Sequence, residues 1–294
     1  MVIPAYPDFK PLELEYLSIF NQAFKENPPR ISEFTFTNLY AWREAYKFKV
    51  STLDNFIILS SEKDAQMRFF DPIGSGDKKK AMERISDDFK AIFIRIPEET
   101  AALFSEDARF GLKPDIDNSD YLYKTDDLIK LKGSKFDGKR NLLKNFRLNN
   151  AYEYAALNAQ NSGECLKFID TWCTIKNCDR VEGLGNEKRA IGEMLAHYSD
   201  FGLIGGAIRI QGNINALALA QELNPDTLVM HVLKADPDVS GLYQAILQEF
   251  LTHQAGNSNY VNLQQDLGIT GLRKAKQSYH PVEMIKKYTL TRAG

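Results

Sequence analysis

The chain has 294 residues, of which 44% are hydrophobic, so it is long enough for one large domain or two domains of ordinary size. We expect two. The formal net charge of -2 at pH 7 provides no overall attraction to nucleic acid or anionic lipid. Binding to either partner would therefore have to come from a local basic patch.

The N-terminal sequence MVIPAYPDFKPLELEYL carries early Asp and Glu residues and lacks the continuous apolar segment of a signal peptide. No window of the sequence approaches the apolar length that spans a bilayer. We expect a cytoplasmic protein without a transmembrane segment. Cys165, Cys173 and Cys178 are odd in number and lack the paired spacing of a zinc site, so we predict reduced thiols and no metal.

The first half of the chain shows helical periodicity, a break at Pro28-Pro29 and then a run of short strands and helices. Turn residues Asp54-Asn55 separate the two strands of a predicted hairpin. The predicted elements are helices at residues 12–24 and up to residue 42, strands at 48–53, 56–60 and 67–70, a helix at 78–89, a strand at 92–96 and a helix at 98–104.

The second half repeats this order of elements. The pattern predicts helices at 165–176 and 187–201, strands at 205–210 and 214–221 around Gly212-Asn213, a strand at 227–233, a helix at 240–253, a strand at 260–263 and a helix at 272–278. Residues 282–290 are expected to close the second sheet. The repetition predicts two tandem domains, residues 1–130 and 131–294.

Polar side chains are unusually dense in residues 262–281, NLQQDLGITGLRKAKQSYHP. Asn262, Gln264 and Asp266 alternate, so in an extended segment they share one face. Gly268 and Gly271 then allow a tight turn before a short helix with three cationic residues, namely Arg273, Lys274 and Lys276. The segment has the character of a functional site. The alternative is an acid-and-amide strand end that caps a basic helix.

A second group of cations lies on a helix that is predicted to begin near Ser134. Arg140, Lys144 and Arg147 share one side of this helix, whereas Lys139 lies on the apolar side. A solvated face does not explain Lys139. Together with Arg140 and Asn141 it is suited to hold a carboxylate or phosphate. The alternative is that these residues brace the domain junction through ion pairs.

Four sequence blocks in the same order resemble the DUF2156 family, which is related to the C-terminal domain of phosphatidylglycerol lysyltransferase. They are FTFTNLYAWR (34–43), KGSKFDGKRNLLKNF (132–146), HVLKADPDVSGLYQAI (231–246) and the segment 262–281. The resemblance implies an α/β fold of two tandem GNAT-like domains, with mixed sheets flanked by helices. It also implies similarity to the Fem aminoacyltransferases, which take an aminoacyl group from tRNA.

The resemblance implies an aminoacyl or acyl transferase that acts on an amine or hydroxyl acceptor. The alternative is a non-catalytic module that binds a lipid, peptide or aminoacyl ligand. Acyl transfer requires a proton acceptor and donors for an oxyanion. We predict Asp266 for the first role, and Lys234 with Arg273 for the second. Predicted substrate-binding residues are Lys139, Arg140, Asn141, Asn262, Gln264, Lys276 and Tyr279.

Two residues of the predicted strand 227–233 and its end, Lys234 and His231, have a structural interpretation as an alternative to a catalytic one. Lys234, at the end of an apolar strand, is costly to bury unpaired, and we expect a partner such as Asp266 or Glu222 if its role is structural. His231 lies on the other face of the same strand, where a histidine is more often a satisfied core residue than a base.

The loop KADPDVSGL replaces the sequence with which an ordinary acetyltransferase presents backbone amides to the pyrophosphate of coenzyme A. Asp236 and Asp238 would stand beside that dianion, which is unfavourable. We therefore expect no cofactor and weak binding of acetyl-CoA. A donor of another shape or charge is favoured, with aminoacyl-tRNA as the candidate and a peripheral lipid or peptide as candidate acceptor.

Overall fold

The structure is a computed structural model that describes residues 2–64, 66–178, 180 and 183–293. Contacts divide the chain into two compact units. Unit 1 contains Met1–Asp120, Gln264–Thr270 and Met284–Gly294, and unit 2 contains Tyr121–Leu263 and Gly271–Glu283. The sequence-based division has a single boundary after residue 130. The division by contacts lies ten residues earlier and also assigns two C-terminal segments to unit 1.

The elements up to residue 114 include the predicted helices and strands in the predicted order, with three additional strands at residues 10–11, 73–74 and 110–114 that were not predicted. In chain order, the elements are β1 (Lys10–Pro11), α1 (Leu17–Glu26), α2 (Phe36–Ala41), α3 (Arg43–Tyr46), β2 (Lys49–Leu53), β3 (Phe56–Lys63), β4 (Gln66–Phe69), β5 (Ile73–Gly74), α4 (Lys78–Asp88), β6 (Ile92–Pro97), α5 (Glu98–Ala102) and β7 (Phe110–Pro114).

The elements from residue 120 onwards include the longer helices. They are β8 (Asp120–Lys124), α6 (Thr125–Lys130), α7 (Asp137–Asn149), β9 (Tyr152–Ala156), α8 (Cys165–Lys176), α9 (Leu184–Ala196), β10 (Ile204–Ile210), β11 (Asn213–Asn224), β12 (Thr227–Ala235), α10 (Leu242–Gln254), β13 (Tyr260–Asn262), α11 (Thr270–Gln277), β14 (Glu283–Ile285) and β15 (Lys287–Arg292).

The first sheet has the strand order β1-β2-β3-β4-β6-β15-β7, with β5 paired to β3. Strands β1 to β4 are antiparallel, β4 and β6 are parallel, and β15 is antiparallel to both β6 and β7. Ile58, Phe69, Phe93 and Leu290 are fully buried in the core beneath this sheet. Strands β4 and β6 can be parallel neighbours because α4 lies between them in the chain and provides the crossover connection that parallel strands require.

The second sheet has the order β14-β8-β13-β12-β11-β10-β9. Strands β9 to β12 are antiparallel, β12 and β13 are parallel across α10, and β13 and β8 are antiparallel. The same succession of pairings therefore occurs in both sheets. These two mixed sheets with flanking helices confirm the predicted α/β architecture.

One strand of each sheet comes from the opposite part of the sequence. The sixth strand of the first sheet is β15, whereas β8 takes the corresponding place in the second sheet. The prediction that residues 282–290 close the second sheet holds for β14 but is wrong for residues 287–290, which belong to β15. This strand inserts between β6 and β7, where Leu290 faces Phe93 and Leu112. Its apolar alternation predicts a strand but does not specify the sheet.

Local turn chemistry accounts for the hairpins. The β2–β3 turn contains Asp54 at a φ of 52°, as expected for Asp-Asn at this place. The β10–β11 turn contains Gln211 and Gly212 at φ values of 51° and 81°. It lies one residue before the predicted Gly212-Asn213 turn, because Asn213 already pairs with Ile210.

The cysteines differ from the prediction of three reduced thiols. Cys173 and Cys178 form a disulfide with a Cα–Cα distance of 5.0 Å, and Cys165 is a buried free thiol. Helix α8 ends at Lys176, and its C-cap residue Asn177 has a φ of 52° that turns the chain back, so that the Cys178 amide donates to the Cys173 carbonyl at 3.0 Å. This left-handed cap brings the two cysteines together. The disulfide could not be predicted from the odd number of cysteines.

A buried ionic network lies in unit 1. The Lys287 side chain is completely buried, and its Nζ donates to Glu33 Oε2 at 2.5 Å and to Asp120 Oδ1 at 2.7 Å. Ser32 donates to Asp120 through both its backbone amide and its hydroxyl. Arg95 Nε lies 3.0 Å from Glu33 Oε1. Charges this deeply buried are tolerated only when they are paired and hydrogen-bonded.

None of the helices in the described part of the chain combines the length and apolar character that a membrane crossing requires.

Candidate active site in the second unit

The sheet of unit 2 opens beside β12. Strand β13 pairs with β12 only at Thr227–Val229, and it ends at Asn262 while β12 continues to Ala235. Within the described residues, no strand covers the last six residues of β12 on the side away from β11. We call this the open edge, residues 230–235. Apart from the backbone of Ala235, the amides and carbonyls of this edge that point away from β11 are available to a ligand, because strand edges present unpaired polar groups.

A β-bulge lies on the open edge. Leu219 pairs with Val232 and Ala220 with Met230, so His231 is the inserted residue. His231 Nε2 lies 3.0 Å from Gln221 Oε1, and its buried Nδ1 makes no hydrogen bond within the described residues. Burial lowers the pKa of His231 to about 3. The ring is therefore neutral near neutral pH.

We expect the buried His231 to destabilise the protein as the pH falls. Its native pKa is about 3, against 6.5 for an ordinary histidine, so between these values the unfolded chain binds more protons. The free energy of unfolding should therefore fall as the pH is lowered from 6.5, by up to about 1.4 kcal/mol per pH unit.

Urea unfolding at neutral and mildly acidic pH measures this dependence. His231→Gln should lose less stability on acidification than the wild-type protein. His280→Gln is the control, because His280 is exposed. A His231→Gln variant with the full wild-type pH dependence would contradict the assignment of a neutral, buried ring.

The open edge leads directly to the N-terminus of α10. The loop after Ala235 ends at Gly241, whose φ of 82° requires glycine, and α10 begins at Leu242. A helix of 13 residues favours negative charge at this end. The loop itself is acidic, however. Asp236 Oδ1 accepts a hydrogen bond from the Asp238 amide at 3.0 Å and thereby shapes the turn.

Lys139 and Tyr279 form a cation–π pair close to this helix. Lys139 Nζ lies 4.0 Å from the centre of the Tyr279 ring, and burial lowers the pKa of the lysine. Burial also raises the pKa of Tyr279, while a side-chain hydrogen bond with Gln244 opposes this effect. Gln244 lies in the first turn of α10. The tyrosine therefore connects Lys139 of α7 with the start of α10.

Lys276 joins the same group of side chains. Its Nζ donates to the Leu263 carbonyl at 2.7 Å, and its own carbonyl accepts a hydrogen bond from the Tyr123 hydroxyl at 2.8 Å. The rings of Tyr123 and Tyr279 pack edge to face, with their centres 6.5 Å apart. Four residues of unit 2 thus meet in what we call the tyrosine cluster, namely the predicted residues Lys139, Lys276 and Tyr279 together with Tyr123.

Lys234 has a different partner from those expected. Its Nζ lies 2.8 Å from Glu187 Oε2 and 4.1 Å from the centre of the Trp172 ring. The expected pairing with Asp266 or Glu222 is therefore replaced by Glu187 of α9. Trp172 Nε1 donates to the Ala235 carbonyl at 3.1 Å, which holds α8 against the end of the open edge.

Arg140 and Asn141 do not join the tyrosine cluster. Arg140 donates to the carbonyls of Leu131 at 2.5 Å and Gly133 at 2.7 Å, and it forms an ion pair with Asp137. These are the contacts of a brace for the loop before α7. Asn141 is exposed on the same helix. Their predicted role in substrate binding stays a prediction.

The alternation of Asn262, Gln264 and Asp266 does not persist, because the strand ends at Asn262. The Gln264 backbone has a φ of 60°, so the segment is not extended. Asn262 is fully buried in unit 2, whereas Gln264 and Asp266 belong to unit 1. Asp266 is 1% exposed, and its Oδ1 accepts the Gly268 amide at 2.8 Å. Its role as proton acceptor stays a prediction.

Arg273, the second predicted oxyanion donor, is half-buried on α11 in unit 2. Sequence reasoning missed the residues that surround Lys234 and Tyr279, namely Trp172, Glu187, Tyr243 and Gln244. Burial raises the pKa of Tyr243, whose hydroxyl also interacts with Trp172 and the Ala235 backbone. Trp172 is one of two tryptophans in the chain, and this rarity was the one feature of the sequence that could have drawn attention to it. The spacing of the four missed residues matches no known motif.

The described residues contain no group of three or more His, Cys, Asp or Glu side chains placed to hold a metal ion. The tyrosine cluster supplies ammonium groups and aromatic hydroxyls, and the open edge supplies backbone amides. Such groups hold anions and polarised carbonyls.

Comparisons with solved structures extend over the whole chain. A conserved protein of unknown function from Bacteroides thetaiotaomicron is 32% identical, with a TM-score of 0.90 over 99% of this chain and 100% of that one. L-PGS from Bacillus licheniformis is 16% identical, with a TM-score of 0.66 over 99% of this chain and 94% of that one. FemX is 7% identical, with a TM-score of 0.58 over 96% of each chain.

The similarity to FemX shows that this α/β chain has the same fold as that protein. None of the curated proteins that were compared matches the chain. The family described as "Phosphatidylglycerol lysyltransferase, C-terminal" matches residues 24–291. Because this match covers almost the entire sequence, the chain belongs to the family of phosphatidylglycerol lysyltransferase C-terminal domains.

Proposed function

We propose that this transferase-family protein moves an aminoacyl or acyl group from an ester donor, with aminoacyl-tRNA as the candidate, to an amine or hydroxyl acceptor. The observation that carries the proposal is the open edge of β12 beside the N-terminus of α10, with Lys139 near the first turn of that helix. An ester carbonyl placed there would meet backbone amide donors and positive potential.

The reaction is balanced without a cofactor. The acceptor nitrogen or oxygen forms a bond to the carbonyl carbon, the ester C–O bond breaks, and the ribose hydroxyl leaves with the acceptor's proton. Preorganised amides stabilise the oxyanion more effectively than water, because their dipoles are already oriented. The half-buried ammonium of Lys139 is available to a phosphate or carbonyl oxygen, and its lowered pKa shows that its present surroundings solvate the charge poorly.

The acidic loop supports a donor other than acetyl-CoA. Asp236 and Asp238 follow the open edge and precede α10, which is where a pyrophosphate would seek the helix N-terminus. Two carboxylates oppose such a dianion. An aminoacyl ester has no pyrophosphate beside its carbonyl. We therefore expect acetyl-CoA to bind weakly, and no cofactor to be needed.

The experiment supplies radiolabelled aminoacyl-tRNAs and scores label in an acid-stable product, with phosphatidylglycerol vesicles and L-leucinamide as acceptors and acetyl-CoA as the alternative donor. We expect transfer from aminoacyl-tRNA and none from acetyl-CoA. Lys139→Met should reduce transfer about tenfold to a hundredfold, the effect of losing one charge-assisted contact. Lys144→Met is the matched control, because Lys144 is an exposed lysine of the same helix.

Binding of aminoacyl-tRNA without transfer to either acceptor would favour the non-catalytic alternative, a module that binds an aminoacyl, peptide or lipid ligand. The saturated pair between Lys234 and Glu187 favours that alternative, since it occupies one predicted oxyanion donor. Equal activity of Lys139→Met and Lys144→Met would remove Lys139 from the site. Efficient transfer from acetyl-CoA would contradict the argument from the acidic loop.

A further inference from the structure

A cavity of about 470 Å³ lies in unit 2 between α8 and the β10–β11 hairpin. It is open on one side, and Asp236 borders it. Asp236 directly follows the open edge, and Trp172, which also lines the cavity, donates to the carbonyl of Ala235 at the end of that edge. The cavity is therefore adjacent to the place proposed for the ester carbonyl, and the tyrosine cluster does not line it.

One wall of the cavity is apolar and the other carries charge. Phe168, Trp172 and Ile175 of α8 provide an aromatic and aliphatic surface, which Ile214 of the hairpin extends. This wall suits a hydrocarbon or aromatic group of a small ligand, since ligand sites combine apolar walls with a few polar groups.

The charged groups do not contribute equally. Arg209 Nη2 lies 2.5 Å from Glu164 Oε2, so these two lining residues neutralise each other. Asp236 has the Asp238 amide as a hydrogen-bond donor at 3.0 Å. A carboxylate accepts about four hydrogen bonds, so one amide leaves capacity for a ligand's donors. An ammonium group satisfies a carboxylate best, because its charge strengthens the hydrogen bond.

We propose that this cavity binds the acceptor as a primary amine with an apolar body, the ammonium group against Asp236 and the body against Trp172, Phe168 and Ile175. This inference rests on the proposed transfer and names its acceptor class. The bound ammonium gives up one proton to water before attack, and its nitrogen then forms the amide bond to the carbonyl carbon. The ester C–O bond breaks, and the ester oxygen leaves with a second proton from the amine. Lys167 on the same lining disfavours a second positive charge on the ligand.

Calorimetry with L-leucinamide tests the site, and 4-methylpentanamide, which lacks the amine, is the matched ligand. We expect the wild-type protein to bind L-leucinamide and not 4-methylpentanamide. Asp236→Asn keeps an oxygen for the Asp238 amide but loses the charge, so it should weaken binding at least tenfold. Asp238→Asn is the control, because Asp238 lies in the same loop and is exposed.

A second pair of variants tests the apolar wall without touching a charge. Ile175→Ala should weaken binding of L-leucinamide several-fold, because the buried part of its side chain lines the cavity. Leu166→Ala is the control on the same helix, since Leu166 is 43% exposed against 41% for Ile175 and lies outside the lining. Equal affinities for Asp236→Asn and Asp238→Asn, or no binding of L-leucinamide to the wild-type protein, would overturn the proposal.

The transfer assay separates this inference from the proposed function. Asp236→Asn should raise the KM for L-leucinamide while leaving the KM for aminoacyl-tRNA unchanged. If transfer occurs and Asp236→Asn leaves both constants unchanged, the acceptor site is wrong and the transferase proposal stands. If L-leucinamide binds in an Asp236-dependent manner and no donor supports transfer, the amine site stands and the transferase proposal fails.

Discussion

Lys287→Met is expected to lower the free energy of unfolding by about 3 to 5 kcal/mol, because breaking a buried ion pair leaves uncompensated charge. The Lys287 side chain has no exposed surface and contacts two carboxylates, Glu33 at 2.5 Å and Asp120 at 2.7 Å. Methionine has a similar shape and supplies no donor. Glu33 retains Arg95 as a partner, so the larger part of the loss should come from Asp120.

The neighbouring lysine provides the control. Lys286 Nζ lies 2.6 Å from Glu98 Oε1, but both side chains are more than half exposed. Exposed pairs contribute about 0 to 1 kcal/mol, so Lys286→Met should be nearly neutral. Urea unfolding at neutral pH compares the two variants. If their midpoints coincide, Lys287 is not carrying a buried charge in the native protein.

Gly241→Ala is expected to disturb unit 2 more than Gly212→Ala, although the two glycines have nearly the same φ. The Gly241 φ of 82° is unfavourable for alanine, and an added Cβ would lie 2.4 Å from the Leu142 carbonyl oxygen and 2.9 Å from Phe146 Cβ. The Leu142 carbonyl oxygen belongs to the backbone, so it cannot move aside by a change of rotamer as a flexible side chain can. The start of α10 and helix α7 must therefore separate, which also displaces the Lys139–Tyr279 pair.

Gly212→Ala isolates the conformational part of this effect. Gly212 has nearly the same φ, 81°, and an added Cβ there meets nothing within 4 Å. Gly212→Ala should cost about 1 to 2 kcal/mol of backbone strain, and Gly241→Ala should cost at least about 2 kcal/mol more. Thermal and urea unfolding give both values. Equal losses would indicate that α7 lies farther from Gly241 than the structure places it.

The sequence was informative where a few neighbouring residues determine the backbone. The β2–β3 hairpin and the strand–helix order of both halves could be predicted, because turn residues and apolar periodicity are local signals. The disulfide could not, although its cysteines are only five residues apart, since it depends on a left-handed residue at Asn177 that the composition does not mark.

The candidate site was less predictable than the fold. Lys139 was correctly recognised as unsuited to a solvated face, because it interrupts an apolar stripe, and the structure leaves it half-buried over Tyr279. The pairing of Lys234 with Glu187 depends on how α9 packs beside β12. The two residues are 47 positions apart in the sequence, so no local pattern predicts their contact. Contacts between distant elements are settled by tertiary packing, which periodicity does not describe.

The placement of β15 has a consequence for the order in which the chain matures during synthesis. Strand β6 ends at Pro97, but β15, one of its two neighbours in the first sheet, is not complete until Arg292 has been synthesised. At about 5 to 20 residues per second this delay is on the order of ten to forty seconds. During that interval the edge of β6 lacks the strand that pairs with it in the native sheet, whereas β8 is synthesised before β13 and β14, its two neighbours in the second sheet. The N-terminal half is thus made first and completed last.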